Sequence, residues 1–179
     1  KMDGDTLPVS AFVDHVDGQF EQGASAYEKR GVAVSVPEWD VTKCIQCNQC
    51  ATVCPHACIR PILLTEEEAE KAPEGFKTLK ATGGGALSNL RFRIQVSPMD
   101  CTGCQLCVEA CGDEALVMKD FEKMKEQESG NWEYAMSIPN KGDLVGRNDV
   151  RSVQFHQPLL EFSGACDGCG ETPYVKLIT

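Results

Sequence analysis

The stretch CIQCNQCATVCPHACIRP, residues 44–61, places five cysteines within fifteen residues. Its first four cysteines follow the spacing C-x2-C-x2-C-x3-C, and a proline comes directly after the fourth. The segment CTGCQLCVEACGD, residues 101–113, repeats the same spacing. Cysteines that recur at fixed intervals indicate either a disulfide framework or a bound metal centre.

The way cysteine is used in this chain favours a metal centre over disulfides. The count of 11 cysteines in 179 residues is odd, and the first residues, KMDGDTLPVS, do not resemble a secretion signal. Disulfide scaffolds are typical of short secreted chains. A zinc ion takes four ligands, commonly from two C-x2-C pairs or from C-x2-C with His. The spacing found here is instead that of the bacterial two-cluster ferredoxins.

This spacing predicts which cysteines share a cluster. The first three of each run reach three irons of one cubane, while the fourth points away and ligates the other cluster. We therefore expect two [4Fe–4S] clusters with crossed ligands, and a zinc module or a disulfide scaffold as the alternatives. The first set is Cys44, Cys47, Cys50 and Cys111, and the second set is Cys54, Cys101, Cys104 and Cys107.

Two residues near the end of the first run fall outside this pattern. Cys58 fits neither spacing, and we expect it to pack as a small buried thiol and not to act as a ligand. His56 is interpreted as a surface or capping histidine. The second run differs from the first in that Gly112 and two carboxylates replace the proline. Negative charge there is expected to lower the reduction potential of the first cluster.

A last C-x2-C pair, Cys166 and Cys169, stands near the C-terminus among three glycines. Glycines let a backbone approach a bulky group closely, and two thiols are half of the ligand set of a cubane. We expect the pair to be part of a further metal site that is completed outside this sequence. A redox-active dithiol and an incidental pair are the alternatives.

The net charge argues against two classes of partner. With 27 acidic and 17 basic side chains, the chain has a formal charge of −10 at pH 7. This balance disfavours nucleic acid and anionic membrane surfaces, and no apolar run approaches the ~18 residues that span a bilayer. The excess of negative charge suits a soluble partner with a positive patch. Because both ends look cut, we expect the sequence to be a piece of a longer protein.

The pattern along the chain predicts an α+β fold with a two-[4Fe–4S] ferredoxin-like core. A Thr cap and acidic residues in LTEEEAEKAP predict a short helix, and alternation predicts strands in GVAVSVPEW and LRFRIQVSP. Charged residues after ALVMKD predict a further helix. The predicted organisation is a connector arm (1–39), the ferredoxin-like domain (40–121) with a long insertion (62–94), a connecting arm (122–161) and a C-terminal segment (162–179).

Seven segments in this order resemble one family, the pyruvate:ferredoxin (flavodoxin) oxidoreductases. The segments YEKRG and EFSGACDGCGETPYVKL are the most specific, since the cysteine runs alone are common to many ferredoxins. The resemblance covers nearly the whole chain. The other segments are VPEWD, KCIQCNQCATVCPHACIRP, FRIQVSP, DCTGCQLCVEAC and NWEYA.

The resemblance implies a large, usually homodimeric cytoplasmic enzyme with thiamine diphosphate, coenzyme A and three [4Fe–4S] clusters. Such an enzyme oxidises pyruvate to acetyl-CoA and passes single electrons to ferredoxin or flavodoxin. By resemblance, Cys166 and Cys169 supply half the ligands of the cluster nearest thiamine, and residues 162–179 begin the thiamine-binding domain. The chain alone is then not catalytic and relays electrons within the rest of the oxidoreductase. The alternative is a polyferredoxin-type electron-transfer subunit of another redox complex.

Overall fold

Two small antiparallel sheets carry the cysteine runs in the computed structural model, which describes residues 4–19 and 23–178. One sheet pairs β1 (Ser35–Trp39) with β5 (Leu116–Asp120). The other has the strand order β2 (Ile59–Leu64), β4 (Arg91–Val96), β3 (Leu79–Lys80). The predicted α+β class is confirmed, and the strand predicted in LRFRIQVSP is β4.

The strand pairing brings the end of each cysteine run beside the beginning of the other. The first run connects β1 to β2, and the second connects β4 to β5. Trp39 at the end of β1 pairs with Leu116 at the start of β5. Ile59 at the start of β2 pairs with Val96 at the end of β4. Since antiparallel partners lie about 5 Å apart, both runs meet between the sheets.

The helices inside the runs are short, and the longest helix covers the sheets. The single turns α1 (Gln49–Thr52) and α3 (Leu106–Glu109) follow the second cysteine of each run. The long helix α4 (Phe121–Ser137) begins at Asp120, whose carboxylate accepts hydrogen bonds from the N–H groups of Glu122 and Lys123. It packs against β1, β4 and β5, so the charged helix predicted after ALVMKD is present.

The segment between the two runs contains helix α2 (Glu66–Glu70) and the short strand β3. The hydroxyl of Thr65 accepts a hydrogen bond from the N–H of Glu68, and the Glu68 carboxylate accepts one from the N–H of Thr65. This reciprocal pair is a capping box, so the helix predicted from the Thr cap is confirmed.

The remaining elements are α5 (Val150–Val153), α6 (Thr172–Ile178) and five 3-10 segments. The 3-10 segments are Gly4–Thr6, Val9–His15, Ala24–Tyr27, Gly85–Asn89 and Gly142–Leu144. No helix among the described residues is both long and apolar enough to cross a bilayer.

The main core lies between the two sheets and includes cysteines as well as aromatic side chains. Phe92 is fully buried and meets the rings of Trp39 and Phe155 edge to face, with centroids 6.2 and 6.1 Å apart. Burial of one such side chain contributes about 1.5–3 kcal/mol. Five buried cysteines belong to the same core: Cys50, Cys54, Cys58, Cys101 and Cys107.

Candidate metal centre

The two cysteine runs share the same unusual backbone turns. Left-handed backbone is uncommon for residues other than glycine, yet it recurs two, four and thirteen residues after the first cysteine of each run. The two chain segments therefore wrap in the same way around what lies between them. The residues are Gln46, Asn48 and Ala57 in the first run, with φ of 62°, 61° and 51°, and Gly103, Gln105 and Glu114 in the second, with φ of 77°, 67° and 50°.

The first cavity holds four thiols from both runs. Its walls include the apolar side chains of Trp39, Ile94 and Leu116, and Asp113 lies at its edge. About 360 Å³ of this space, open solvent included, is free of protein atoms. The cysteines that line it are Cys44, Cys47, Cys50 and Cys111.

The second cavity has the same construction and one additional thiol. Its walls include Pro37, Ile59 and Met118, and about 370 Å³ of it, open solvent included, is free of protein atoms. The cysteines that line it are Cys54, Cys58, Cys101, Cys104 and Cys107. The two cavities thus bring together the two crossed sets of cysteines named from the spacing.

Backbone N–H groups point at the sulfur atoms in both cavities. The N–H of Gly103 donates to Cys101 Sγ at 3.4 Å, and the N–H of Ala115 donates to Cys111 Sγ at 3.3 Å. Gly103 has no room for a side chain, since a Cβ there would lie 2.9 Å from the carbonyl oxygen of Ser35. Hydrogen bonds of this kind stabilise thiolates and tune the potential of iron–sulfur clusters.

Without a cation, burial makes thiolate formation costly at Cys50 in the first cavity and at Cys107 in the second. Desolvation raises the pKa of Cys50 to about 12, and the neighbouring thiols Cys44 and Cys47 add to the rise. Desolvation also raises the pKa of Cys107, with Cys54 and Cys101 adding to it. A metal centre reverses this balance, because metal-bound thiols lose their protons. The donor set therefore fits a thiolate-ligated cluster.

A single metal ion and a cubane make different demands on their ligands. The ligand atoms of one zinc ion all lie within about 2.3 Å of it. In the part of the chain that the structure describes, no group of three or more His, Cys, Asp or Glu side chains is arranged to hold a metal ion. A cubane makes another demand, since each of its thiolates binds a different iron.

Cys58 lies inside the second cavity, between two of the cysteines predicted as ligands. Its predicted burial is confirmed, since only 3 % of its surface is exposed. Its Sγ is 3.5 Å from the Sγ of Cys54, and Cys101 lines the same cavity. The spacing gives no signal for this position, because Cys58 reaches the cavity by following a left-handed turn at Ala57.

The C-terminal pair lies beside the second cavity. Cys166 is exposed and Cys169 is half-buried. Gly168, between them, is so near Cys104 that a Cβ on the glycine would lie 3.6 Å from Cys104 Cβ. A hydrogen bond from Thr172 lowers the pKa of Cys169. The loop that carries the third C-x2-C therefore faces a cysteine of the second set.

His56 fastens the same C-terminal segment to the wall of the second cavity. Its Nδ1 donates to the carbonyl oxygen of Ser163 at 2.9 Å, and its own carbonyl accepts from the N–H of Phe162 at 2.9 Å. Only 2 % of its surface is exposed, so the surface half of the interpretation as a surface or capping histidine was wrong, and the ring instead bonds a backbone carbonyl. Sequence gives no signal for this role, since the two partners lie more than a hundred positions further along the chain.

Trp39 is a second contributor that the cysteine spacing does not reveal. Its side chain lines the first cavity together with Cys44, and its buried Nε1 has no hydrogen-bond partner among the described residues. Burial raises the pKa of Cys44, and the nearby indole of Trp39 acts against that rise. The wall of the first cavity therefore contains a buried N–H donor that is free to bind an acceptor there.

Two family models match the chain. A model described as a 4Fe-4S dicluster domain covers residues 43–115, and a model named EKR, described as a domain of unknown function, covers residues 1–33. The first match includes both cysteine runs and both cavities. The chain therefore carries an iron–sulfur dicluster domain of the ferredoxin-like type.

Several curated proteins are similar over nearly the whole chain. Pyruvate dehydrogenase [NADP(+)] of Cryptosporidium parvum is 54 % identical over 98 % of this chain, which is 9 % of the relative. The pyruvate-flavodoxin oxidoreductase of Enterobacter agglomerans is 51 % identical over 100 % of the chain and 15 % of the relative. The pyruvate:ferredoxin oxidoreductase of Moorella thermoacetica is 51 % identical over 98 % of the chain and 15 % of the relative. The chain thus spans only a small part of the length of these relatives.

Proposed function

We propose that this chain is the electron-transfer segment of an enzyme of the pyruvate:ferredoxin and pyruvate-flavodoxin oxidoreductase family, to which it belongs. The observation that carries the proposal is the pair of cavities, each lined by four thiols from both runs. The whole protein is proposed to oxidise pyruvate to acetyl-CoA with thiamine diphosphate and coenzyme A. This segment contributes the relay and no catalytic residue.

The proposed ligands are the crossed sets, Cys44, Cys47, Cys50 and Cys111 for the first cluster and Cys54, Cys101, Cys104 and Cys107 for the second. A [4Fe–4S] cluster supplies one-electron chemistry when bound, at a potential set by hydrogen bonds, charge and exposure. The protein's part is to hold the thiolates, to exclude water with apolar walls and to direct N–H groups at sulfur. The contacts of Gly103 and Ala115 with cysteine sulfur support this assignment.

In the proposed route, electrons enter at the site of Cys166 and Cys169, pass through the cluster held by the second set of cysteines and leave from the cluster held by the first set. The approach of Gly168 to Cys104 supports the entry step. Differences in exposure support the exit, because three cysteines of the second set are buried while Cys44, Cys47 and Cys111 are only half-buried. The neighbouring Ile45, which is 59 % exposed, presents an apolar contact surface there.

The partners follow from the same family membership. We propose that the segment works inside a longer, homodimeric oxidoreductase chain in the cytoplasm and that ferredoxin or flavodoxin accepts the electrons. The negative charge of the chain, −10 at pH 7, disfavours nucleic acid or an anionic membrane surface as a partner.

The first test is the iron and acid-labile sulfide content of anaerobically prepared protein, with EPR after dithionite reduction. We expect about eight irons and eight sulfides from the two crossed sets, plus a further cluster where the rest of the third site is present. The EPR spectrum should show interacting reduced clusters. Zinc without sulfide, or a single isolated cluster, would contradict the proposal.

The second test separates this proposal from a subunit of another redox complex. In the whole protein, pyruvate with coenzyme A should reduce the clusters, and Cys166→Ser with Cys169→Ser should abolish that reduction. Dithionite should still reduce the clusters of the first and second sets in the double variant. Reduction by pyruvate that survives both substitutions would contradict the proposed entry point.

A further inference from the structure

The second cavity contains one thiol more than a cluster can use. A cubane takes four cysteine ligands, and five cysteines line this cavity, whereas four line the first. The additional one is Cys58. We propose that Cys58 is a reserve ligand of the second cluster, positioned to take the place of Cys54 when that thiolate is lost. This inference rests on the proposed function, since it requires a cluster in the cavity.

Distance and burial support this exchange. The Sγ atoms of Cys54 and Cys58 are 3.5 Å apart, which is within hydrogen-bonding distance for sulfur. Both side chains are nearly inaccessible to solvent, at 6 % and 3 % exposure. The left-handed turn at Ala57 folds the connecting loop so that the two sulfurs lie side by side. A change of side-chain rotamer, with a small shift of the loop, is therefore enough for the exchange.

The contact between Cys54 and Cys58 joins a proposed ligand to a cysteine outside the ligand set. Their sulfur atoms are within hydrogen-bonding distance, and either can be the donor. Cys58 therefore lies beside the ligand that it would replace.

The exchange balances without any redox partner. When Cys54 is absent, the iron that it would bind has an open position, and Cys58 Sγ forms the iron–sulfur bond. The proton of the Cys58 thiol leaves to solvent water as that bond forms. No electron is transferred, and the oxidation state of the cluster does not change.

Cys58 is not placed to complete the third site. It lines the second cavity with Cys54 and Cys101, whereas Cys166 is exposed and does not line that cavity. The first cavity has no equivalent, because the cysteines that line it are the four proposed ligands alone. This difference between two otherwise matched cavities supplies the control for the test.

The test compares four variants of the whole protein by iron and sulfide content and by EPR. Cys54→Ala should keep the iron content of the wild type and show no [3Fe–4S] signal in the oxidised protein. Cys54→Ala/Cys58→Ala should lose about one iron per chain and show that signal. Cys111→Ala, which removes the corresponding ligand of the first cavity, should lose iron in the same way. Cys58→Ala alone should keep both clusters.

Cys54→Val, with and without Cys58→Ala, repeats the comparison with a larger side chain that cannot bind iron, in case the alanine variants fail to fold. The proposal is overturned if Cys54→Ala and Cys54→Val lose as much iron as their double variants, whether through [3Fe–4S] formation or through unfolding. Failure of the proposed function is a separate result, because the wild-type protein itself would then contain no [4Fe–4S] clusters.

Discussion

Trp39 influences the first cavity without being a proposed ligand. Its indole Nε1 is a donor only, and it is buried without a hydrogen-bond partner among the described residues. Cys44 lines the same cavity, and a cluster-bound thiolate there would be an acceptor for this N–H. A hydrogen bond to a cluster thiolate stabilises the more negative, reduced state, so it raises the reduction potential.

Trp39→Phe should therefore lower the midpoint potential of the first cluster. Phenylalanine keeps an aromatic ring against Phe92 and removes the N–H donor. A change of about tenfold in the reduction equilibrium corresponds to about 59 mV for one electron, which an EPR-monitored redox titration detects.

The second cluster, whose cavity Trp39 does not line, is the internal control and should not shift. Phe92→Leu is the matched variant, since it removes the ring that packs against Trp39 and keeps the N–H. If Phe92→Leu lowers the midpoint as much as Trp39→Phe does, packing and not the hydrogen bond is responsible.

These residues show what sequence could and could not predict at the site. Eight cysteines at fixed spacing predict two crossed sets, because the spacing itself is imposed by the geometry of a cubane. Trp39, His56 and Cys58 act through contacts that depend on how the loops fold back. No rule of cysteine spacing describes such contacts, so only the folded structure reveals them.

At the scale of elements, Lys29 of the YEKRG segment fixes the N-terminal arm to the second cysteine run. Its Nζ lies 2.5 Å from the carboxylate of Asp100, which is 4 % exposed and directly precedes Cys101. The same ammonium lies 5.6 and 5.0 Å from the ring centroids of Trp132 and Phe162. Lysine at such distances gains cation–π attraction as well.

Lys29→Met should destabilise this junction by about 1–3 kcal/mol, because it leaves a buried carboxylate without its cation. Hydrogen exchange of the backbone amides of residues 97–101 measures the effect, and exchange should accelerate. Arg30→Met is the matched control, since Arg30 is exposed and pairs with the exposed Glu28. Equal acceleration in both variants would mean that the Asp100 contact contributes little.

Helix α2 should depend on pH through Glu68. Burial raises the pKa of this carboxyl, but hydrogen bonds from Lys141 and Thr65 outweigh it, so the net pKa lies below its ordinary value of 4.5. A lowered folded-state pKa stabilises the fold above about pH 4.5, and the contribution is lost as the pH falls through the folded-state pKa. The Lys141 pair is partly screened by solvent and is worth about 1 kcal/mol.

Glu68→Gln should accordingly speed hydrogen exchange in α2 at neutral pH, and the difference from the wild type should shrink as the pH is lowered below about 4.5. Glu67→Gln is the control, since Glu67 is exposed and the capping box of α2 is formed by the side chains of Thr65 and Glu68. A difference between Glu68→Gln and the wild type that stays constant down to acidic pH would argue against a role for the ionised carboxylate.

The elements were partly predictable for the same physical reasons. The Thr65 cap and the alternation before the second run predicted α2 and β4, because both signals are local. The pairing of β1 with β5 across some eighty residues is not local. The alternation in GVAVSVPEW predicts a strand but not the strand with which it pairs. Long-range pairing is decided by the core, which here includes the cysteines themselves.

At the scale of the whole molecule, the core between the sheets is built around its two thiol-lined cavities. Cys50, Cys54 and Cys107 belong to the same buried group as Phe92 and Val36. Without clusters, each cavity would place several desolvated thiols around space that no side chain fills, and unfilled core space costs stability. Metal binding in small metallo-domains is coupled to folding for this reason.

Removal of the clusters by oxidation in the presence of a chelator should therefore unfold this segment and not merely leave its cavities empty. Hydrogen exchange measured by mass spectrometry on the whole protein should show lost protection in β1, β2, β4 and β5, because all four strands border the cavities. Anaerobic reconstitution with iron and sulfide should restore that protection. In Cys111→Ala, which lacks one ligand of the first cavity only, the loss should be larger at the β1–β5 pair than at the β2–β4 pair. Strands that stay protected after complete iron removal would show that the apolar core alone holds the fold, and the cavities would then be preformed in the unloaded chain.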